Sequence, residues 1–315
     1  MGKVKYRFAL VLGGGGARGL AHIGVIRELV KRNIIPDLIV GTSMGAVVGG
    51  MYAQTLDIDL VEARITDFVE RFGTKGKWLG FLDRLESGNK EDLFHDIANY
   101  IKKHYMKIKA LTTISLEDRD LLYEPLNEFF SDDHIENTKI PFAAVSIDLW
   151  GGRQMIINTG SIINAVYSSA AVQGVFPPLE YRDTLLVDGG PVALVPVEAA
   201  IALGAKYVAA VDISMKIKRE ESFANGLEII LRSDSVSQER LKQVDLEKAD
   251  LIISPEVQAV HWANFGRIKF CIERGEMATA KALRESSFLD RFKPWWRRPI
   301  KLPWRQFYNI RLNDK

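Results

Sequence analysis

The chain has 315 residues, 47% of them hydrophobic, with a mean hydropathy of −0.03, enough to bury one large core. Its single cysteine, Cys271, excludes an internal disulfide, so a cytosolic setting is expected. The net charge of +2 hides an asymmetry: residues 291–315 carry eight Lys/Arg against one Asp, leaving −5 for residues 1–290.

The chain opens MGKVKYRFALVLGGGG, with no signal-peptide apolar region or cleavage site. Gly2 meets only part of a myristoylation pattern, because Tyr6 stands where Ser or Thr is required. Residues 6–12 read as a strand, and 20–32 as a helix with Ile23, Ile26, Leu29 and Val30 at helical spacing. Residues 38–56 run for 19 residues without a charge, but four glycines and several polar residues make a poor membrane span. A buried strand at 38–41 and a small-residue helix at 44–53 fit better. Strand, helix, strand, helix predicts an α/β fold with a mostly parallel, doubly wound sheet.

Residues 57–135 change character, with amphipathic helices such as LVEARITDFVERF, EDLFHDIANYIKKHY and DLLYEPLNEFF around an apolar cluster, KWLGFL. Strand patterns return at 140–147, 154–157, 184–187, 207–213 and 250–253. Helices are predicted between them at 161–170, 196–203 and 223–247, and a last one at 264–285. Neither an internal repeat nor a low-complexity tract is present.

Two glycine motifs carry the chemistry. Gly14, Gly16 and Gly19 match the G-x-G-x-x-G of a dinucleotide turn. Such a site needs an acid at the end of the second strand, whereas Asp37 precedes that strand, which ends in Gly41-Thr42-Ser43. Backbone amides at a helix N-terminus serve a transient oxyanion by the same physics. The second motif, Gly41-Thr42-Ser43-Met44-Gly45, is a G-x-S-x-G at a strand-to-helix junction. Its glycines remove side chains that would clash in a sharp turn, and the turn lifts Ser43 out of the sheet.

A serine nucleophile needs a base. Of five histidines, only His261 follows the best carboxylate candidate, and only one strand precedes the one feeding Ser43, so a Ser-Asp-His triad is not supported. His22, on the helix behind the glycine loop, reads as a packed structural residue. Asp188 ends an apolar strand before Gly189-Gly190, a tripeptide that is often a simple turn. Asp148 and Asp212 also end strands, as structural residues or caps. With no H-E-x-x-H and no Cys/His cluster, neither metal nor cofactor is expected.

GGGGARG at 13–19, GTSMG at 41–45 and DGG at 188–190, in that order, resemble the signatures of patatin-like phospholipases. The resemblance continues through FAAVSIDL, SSAAVQGVFPPLE, VPVEAAIALGAKYVAAVDIS and ADLIISPEV, covering residues 6–285. It implies a three-layer α/β fold and a lipid acyl hydrolase using a Ser43-Asp188 dyad without histidine. It also implies an oxyanion hole from Gly14, Gly15 and Gly16 with Arg18, supported by Gly19, Gly41, Met44, Gly45, Gly189 and Gly190. Gln173 departs from the family's usual proline, and Pro191-Val-Ala-Leu from its usual Asn-Pro.

Residues 1–290 are expected to form the catalytic domain, with 57–135 as a lid or acyl-chain wall, or as an ordinary packed helical layer. The tail holds Trp295, Trp296 and Trp304 among its cations, which suits peripheral docking on an anionic, cytoplasmic membrane face. The alternative is a tail wrapped on its own domain or on a second copy. A nucleic-acid role is disfavoured by the acidic body. The expected partner is a lipid ester, and a homo-oligomer is left open. Competing functions are a binding protein on the same scaffold and an acyltransferase using the same residues.

Overall fold

The computed structural model describes residues 4–72, 114–132, 134–223, 226–286 and 308–312. The chain starts with β1 (Tyr6–Leu12), a 3-10 turn (Gly16–Leu20), α1 (Ala21–Lys31), β2 (Leu38–Gly41) and α2 (Met44–Thr55). Next come α3 (Ile58–Phe72), α4 (Asp120–Phe129), β3 (Phe142–Asp148), β4 (Arg153–Gly160) and α5 (Ile162–Ala170). Then follow β5 (Leu179–Tyr181), β6 (Thr184–Asp188), the single turn α6 (Gly190–Ala193), α7 (Val197–Ala202) and β7 (Ala205–Val211). The described chain ends with α8 (Gly226–Leu246), β8 (Leu251–Ile253), α9 (Ile268–Glu285) and β9 (Tyr308–Leu312).

The sheet order is β5-β6-β3-β2-β1-β7-β8, with β4 on the other edge of β3 and β9 beyond it. Strands β3, β2, β1, β7 and β8 run parallel, while β4 and β6 are antiparallel to β3. Side chains alternate between two buried faces, as a pleated strand requires. Phe8, Leu10, Leu12, Ile39, Phe142, Tyr207 and Val211 meet the thick layer of α1, α2, α3, α5 and α9. Ala9, Val11, Val40, Ala143, Val208 and Ala210 meet the thinner layer of α6, α7 and the end of α8. The result is the expected three-layer α/β architecture.

Close backbone contacts explain where small residues sit. A Cβ at Gly45 would run into the carbonyl of Leu12, and one at Gly49 would stand 2.8 Å from Ile39, so α2 lies directly on the strands. A Cβ at Gly24 would overlap the Ile272 carbonyl, and one at Gly275 that of Ala21, so α1 and α9 cross backbone to backbone. The uncharged stretch 38–56 is thus β2, a turn and α2. No helix among the described residues is long and apolar enough to cross a membrane.

Within the expected lid segment, α3 and α4 pack into the core through Ile58, Val61, Ile65, Leu121, Leu126 and Phe129. The Phe68 and Phe129 rings meet edge to face at 5.3 Å. The KWLGFL cluster and the EDLFHDIANYIKKHY helix lie outside the described residues. In the tail, residues 308–312 pair in parallel with β4, so its end joins the sheet; residues 287–307 lie outside the described ones.

Candidate active site

Strand β3 has three partners, and its register shows how they share two edges. Gly41 of β2 lies opposite Ala144, and Asp188 of β6 lies opposite Ser146. Strand β4 pairs with Ala144 through Asp148, overlapping both, so it must occupy the other edge. Parallel β2 and antiparallel β6 therefore end facing each other along one edge of β3. That convergence brings the turn after β2, which carries Ser43, towards the last residue of β6.

Ser43 has φ 54° and ψ −124° at the junction before α2. A side chain rarely adopts this conformation, which costs on the order of 1–3 kcal/mol and persists only where its surroundings hold it. The hold is explicit. The Thr42 amide donates to Leu12 O at 3.1 Å and its hydroxyl to Ala193 O at 2.8 Å. The Ser43 amide donates to Ser169 Oγ at 3.0 Å, and the Ser43 carbonyl accepts from the Ala46 and Val47 amides. Gly41 is obligatory here, because a Cβ would stand 2.5 Å from the Ala46 nitrogen.

Asp188 is buried, and the nearby Ser43 hydroxyl favours its ionised form. Its Oδ1 also accepts from the Gly190 amide at 2.7 Å. Burial pushes its carboxyl up to about 6, against the opposing pull of the Gly190 amide and the Ser43 hydroxyl. Its amide donates to Ala171 O at 3.0 Å, and its carbonyl accepts from Gln173 Nε2 at 2.8 Å. Gly189 lies so close to the Val145 carbonyl that a Cβ would not fit.

The glycine loop divides by role. The Gly13 and Gly14 amides donate to Val211 O and Leu194 O, at 3.1 and 2.9 Å. The expected oxyanion donor at Gly14 is thus already engaged. A Cβ at Gly14 would stand 3.3 Å from Ser43 Cβ. The amides of Gly15, Gly16 and Met44 have no protein acceptor among the described residues. Gly16 has φ 59° and lies against the Trp262 carbonyl, where a Cβ would collide. Gly19 is packed on the Met44 side chain.

Arg18 is buried and anchors this loop, with Nε donating to Val260 O at 2.8 Å and a terminal nitrogen reaching Met215 Sδ at 2.8 Å. His22 is also buried, and burial lowers its imidazole to about 4. The neutral ring donates from Nε2 to Gly13 O at 2.8 Å, while Nδ1 is buried without a partner. His22 is therefore a structural support of the loop, as expected. Asp148 is held by Arg153 at 2.9 Å and Asp212 by Ser214 and Lys242, so both are structural. No metal-ligating group of three or more acids, histidines or cysteines occurs among the described residues.

The model of the patatin-like phospholipase family matches residues 10–201, which holds the glycine loop, Ser43 and Asp188. This chain belongs to the patatin-like phospholipase family. Lysophospholipase NTE1 of Mycosarcoma maydis is 33% identical over 204 residues, covering 65% of this chain and 9% of that protein. An NTE family protein of Mycobacterium tuberculosis is 28% identical over 306 residues, covering 90% of this chain and 47% of its own length. The chain thus spans less than half the length of these relatives. VipD from Legionella pneumophila superposes with a TM-score of 0.42 at 14% identity, over 89% of this chain and 67% of that one.

The motifs did not reveal a role for Ser169 or for the stretch after β8. Ser169 lies in SSAAVQG, and only folding brings it to Ser43. Val260 and Trp262 reach the loop across 242 and 246 residues of chain from Arg18 and Gly16.

Proposed function

We propose that this chain hydrolyses carboxylic esters of phospholipids or lysophospholipids, with Ser43 as nucleophile and Asp188 as its base. The observation that carries the reading is the register on β3 that brings Ser43, at a strained elbow, towards the buried Asp188, whose pKa is pushed up to about 6. Such a group is mostly ionised at neutral pH, yet more basic than an exposed aspartate. Ser43 Oγ attacks the ester carbonyl carbon as Asp188 takes its proton. The amides of Gly15 and Gly16 receive the negative charge on the carbonyl oxygen, and α2 directs its N-terminus towards the same region. Collapse of the tetrahedral intermediate expels the alcohol, which takes the proton from Asp188, and leaves an acyl-Ser43 ester. Water, deprotonated by Asp188, then releases the fatty acid and restores Ser43.

Lysophospholipids are the first substrates to test, given the name of the NTE1 relative. The basic, tryptophan-rich stretch within 291–307 is the proposed contact with an anionic lipid surface. In sequence it lies between α9 and β9, and β9 pairs with β4.

The test is labelling with a fluorophosphonate probe, mapped by mass spectrometry, alongside hydrolysis of a soluble ester and a lysophospholipid. Ser43 should carry the label, and Ser43→Ala and Asp188→Asn should each lose about 10³-fold or more in turnover. Full esterase activity in either variant overturns the reading.

A further inference from the structure

Three residues of one five-residue stretch, Ser169, Ala171 and Gln173, touch both halves of the reacting pair. At one end, Ser169 Oγ accepts the Ser43 amide at 3.0 Å and donates to Val145 O at 2.6 Å. Val145 sits on β3 between the residues that face Gly41 and Asp188. Two residues on, the Ala171 carbonyl accepts the Asp188 amide at 3.0 Å. At the other end, Gln173 Nε2 donates to the Asp188 carbonyl at 2.8 Å. The backbone N–H of Ser43 and both backbone groups of Asp188 are thus referenced to the stretch 169–173.

We infer that Ser169 and Gln173 are positioning residues that fix the distance and angle between Ser43 and Asp188. The inference rests on the reading of Ser43 and Asp188 as the reacting pair. Ser169 is suited to the task because its hydroxyl spends its donor on the sheet and its acceptor on the strained elbow. Alanine would leave the partly buried Ser43 amide and the fully buried Val145 carbonyl without these partners. Gln173 closes the other side. A residue without a side-chain donor at this position could not make that hydrogen bond. The positions act through geometry alone: neither Ser169 nor Gln173 touches the Asp188 carboxylate in any hydrogen bond among the described residues.

The test compares Ser169→Ala, Gln173→Met and Ser43→Ala on a soluble ester, with active serines counted by fluorophosphonate titration. Turnover per titrated serine should fall about ten- to a hundredfold in Ser169→Ala and about tenfold in Gln173→Met. KM should stay within about twofold, since the lost interaction aligns reacting groups rather than binding substrate. A purely structural role predicts fewer titratable serines and a lower melting temperature, with unchanged turnover per serine. That outcome overturns the inference while an inactive Ser43→Ala leaves the underlying reading intact. If Ser169→Ala does not fold, Gln173→Met at its half-buried position decides alone: reduced turnover per serine supports the inference and unchanged turnover overturns it. An active Ser43→Ala instead removes the reading on which both rest.

Discussion

Gly41 and Asp188 end their strands two residues apart along the same edge of β3, opposite Ala144 and Ser146. At about 3.3 Å per residue, that offset is one side-chain repeat. Ser43, two residues past Gly41, needs only one sharp turn to approach the carboxylate. The approach of the pair is therefore set first by sheet register, with the contacts of Ser169, Ala171 and Gln173 acting on top of it.

The first prediction concerns acid. Asp188 must be ionised to act as a base, and its pKa is pushed up to about 6, so activity should fall as pH drops through about 6. A pH profile of kcat/KM on a soluble ester checks the midpoint. Stability runs the other way, because a raised folded-state pKa favours the protonated fold below it and disfavours the ionised one above. Asp188→Asn should therefore stabilise the protein at pH 8 by on the order of 3 kcal/mol, and much less at pH 4. Calorimetry at the two pH values measures the difference.

His22 should show the opposite sign. Its imidazole is held down to about 4, so the fold disfavours the charged ring. Stability should drain away as pH falls from about 6.5 towards 4, up to roughly 3 kcal/mol. His22→Gln, which keeps a side-chain donor for Gly13 O but cannot titrate, should flatten that part of the pH dependence. Denaturant titrations of both proteins at pH 7 and 4.5 test this.

The crossing of α1 and α9 has no room for a side chain at Gly24 or Gly275. Gly24→Ala and Gly275→Ala should each lose about 1–3 kcal/mol through overpacking. Since the crossing does not touch the reacting pair, turnover per titrated serine should be unchanged. Thermal unfolding combined with fluorophosphonate titration separates the two effects.

The tail should be probed by substitution, not by truncation. Replacing Trp295, Trp296 and Trp304 by alanine should weaken sedimentation with anionic vesicles several-fold and spare hydrolysis of a soluble ester. Removing residues 291–315 should also uncover the edge of β4 that β9 pairs with, adding aggregation to any loss of lipid binding. Light scattering of the two proteins distinguishes these outcomes.

Much of this site was legible locally. The glycines around Ser43 and after Asp188 declare tight turns by their residue type, and the apolar runs before them declare buried strands. The helix carrying His22 and the packing role of that ring could likewise be read from the motif's surroundings. What sequence pattern could not supply is which amide is already engaged. Gly14, Gly15 and Gly16 are equivalent letters, and only the position of Leu194 removes Gly14 from the set of free donors. Strand β5, three residues long, is too short to show a period of two. Ser169 looked like one small residue among several, because its partners Ser43 and Val145 lie 126 and 24 residues away.

Strand β3 has one more consequence, for endurance. Val145 O anchors Ser169 and abuts Gly189, so both halves of the pair are tied to an interior strand whose residues are buried except for the half-buried Ile147. Local opening at the surface leaves such a strand untouched, and its amides should exchange with solvent only through global unfolding. The pair should then separate only when the sheet itself does. On slow heating, loss of esterase activity should coincide with loss of the fold and not precede it.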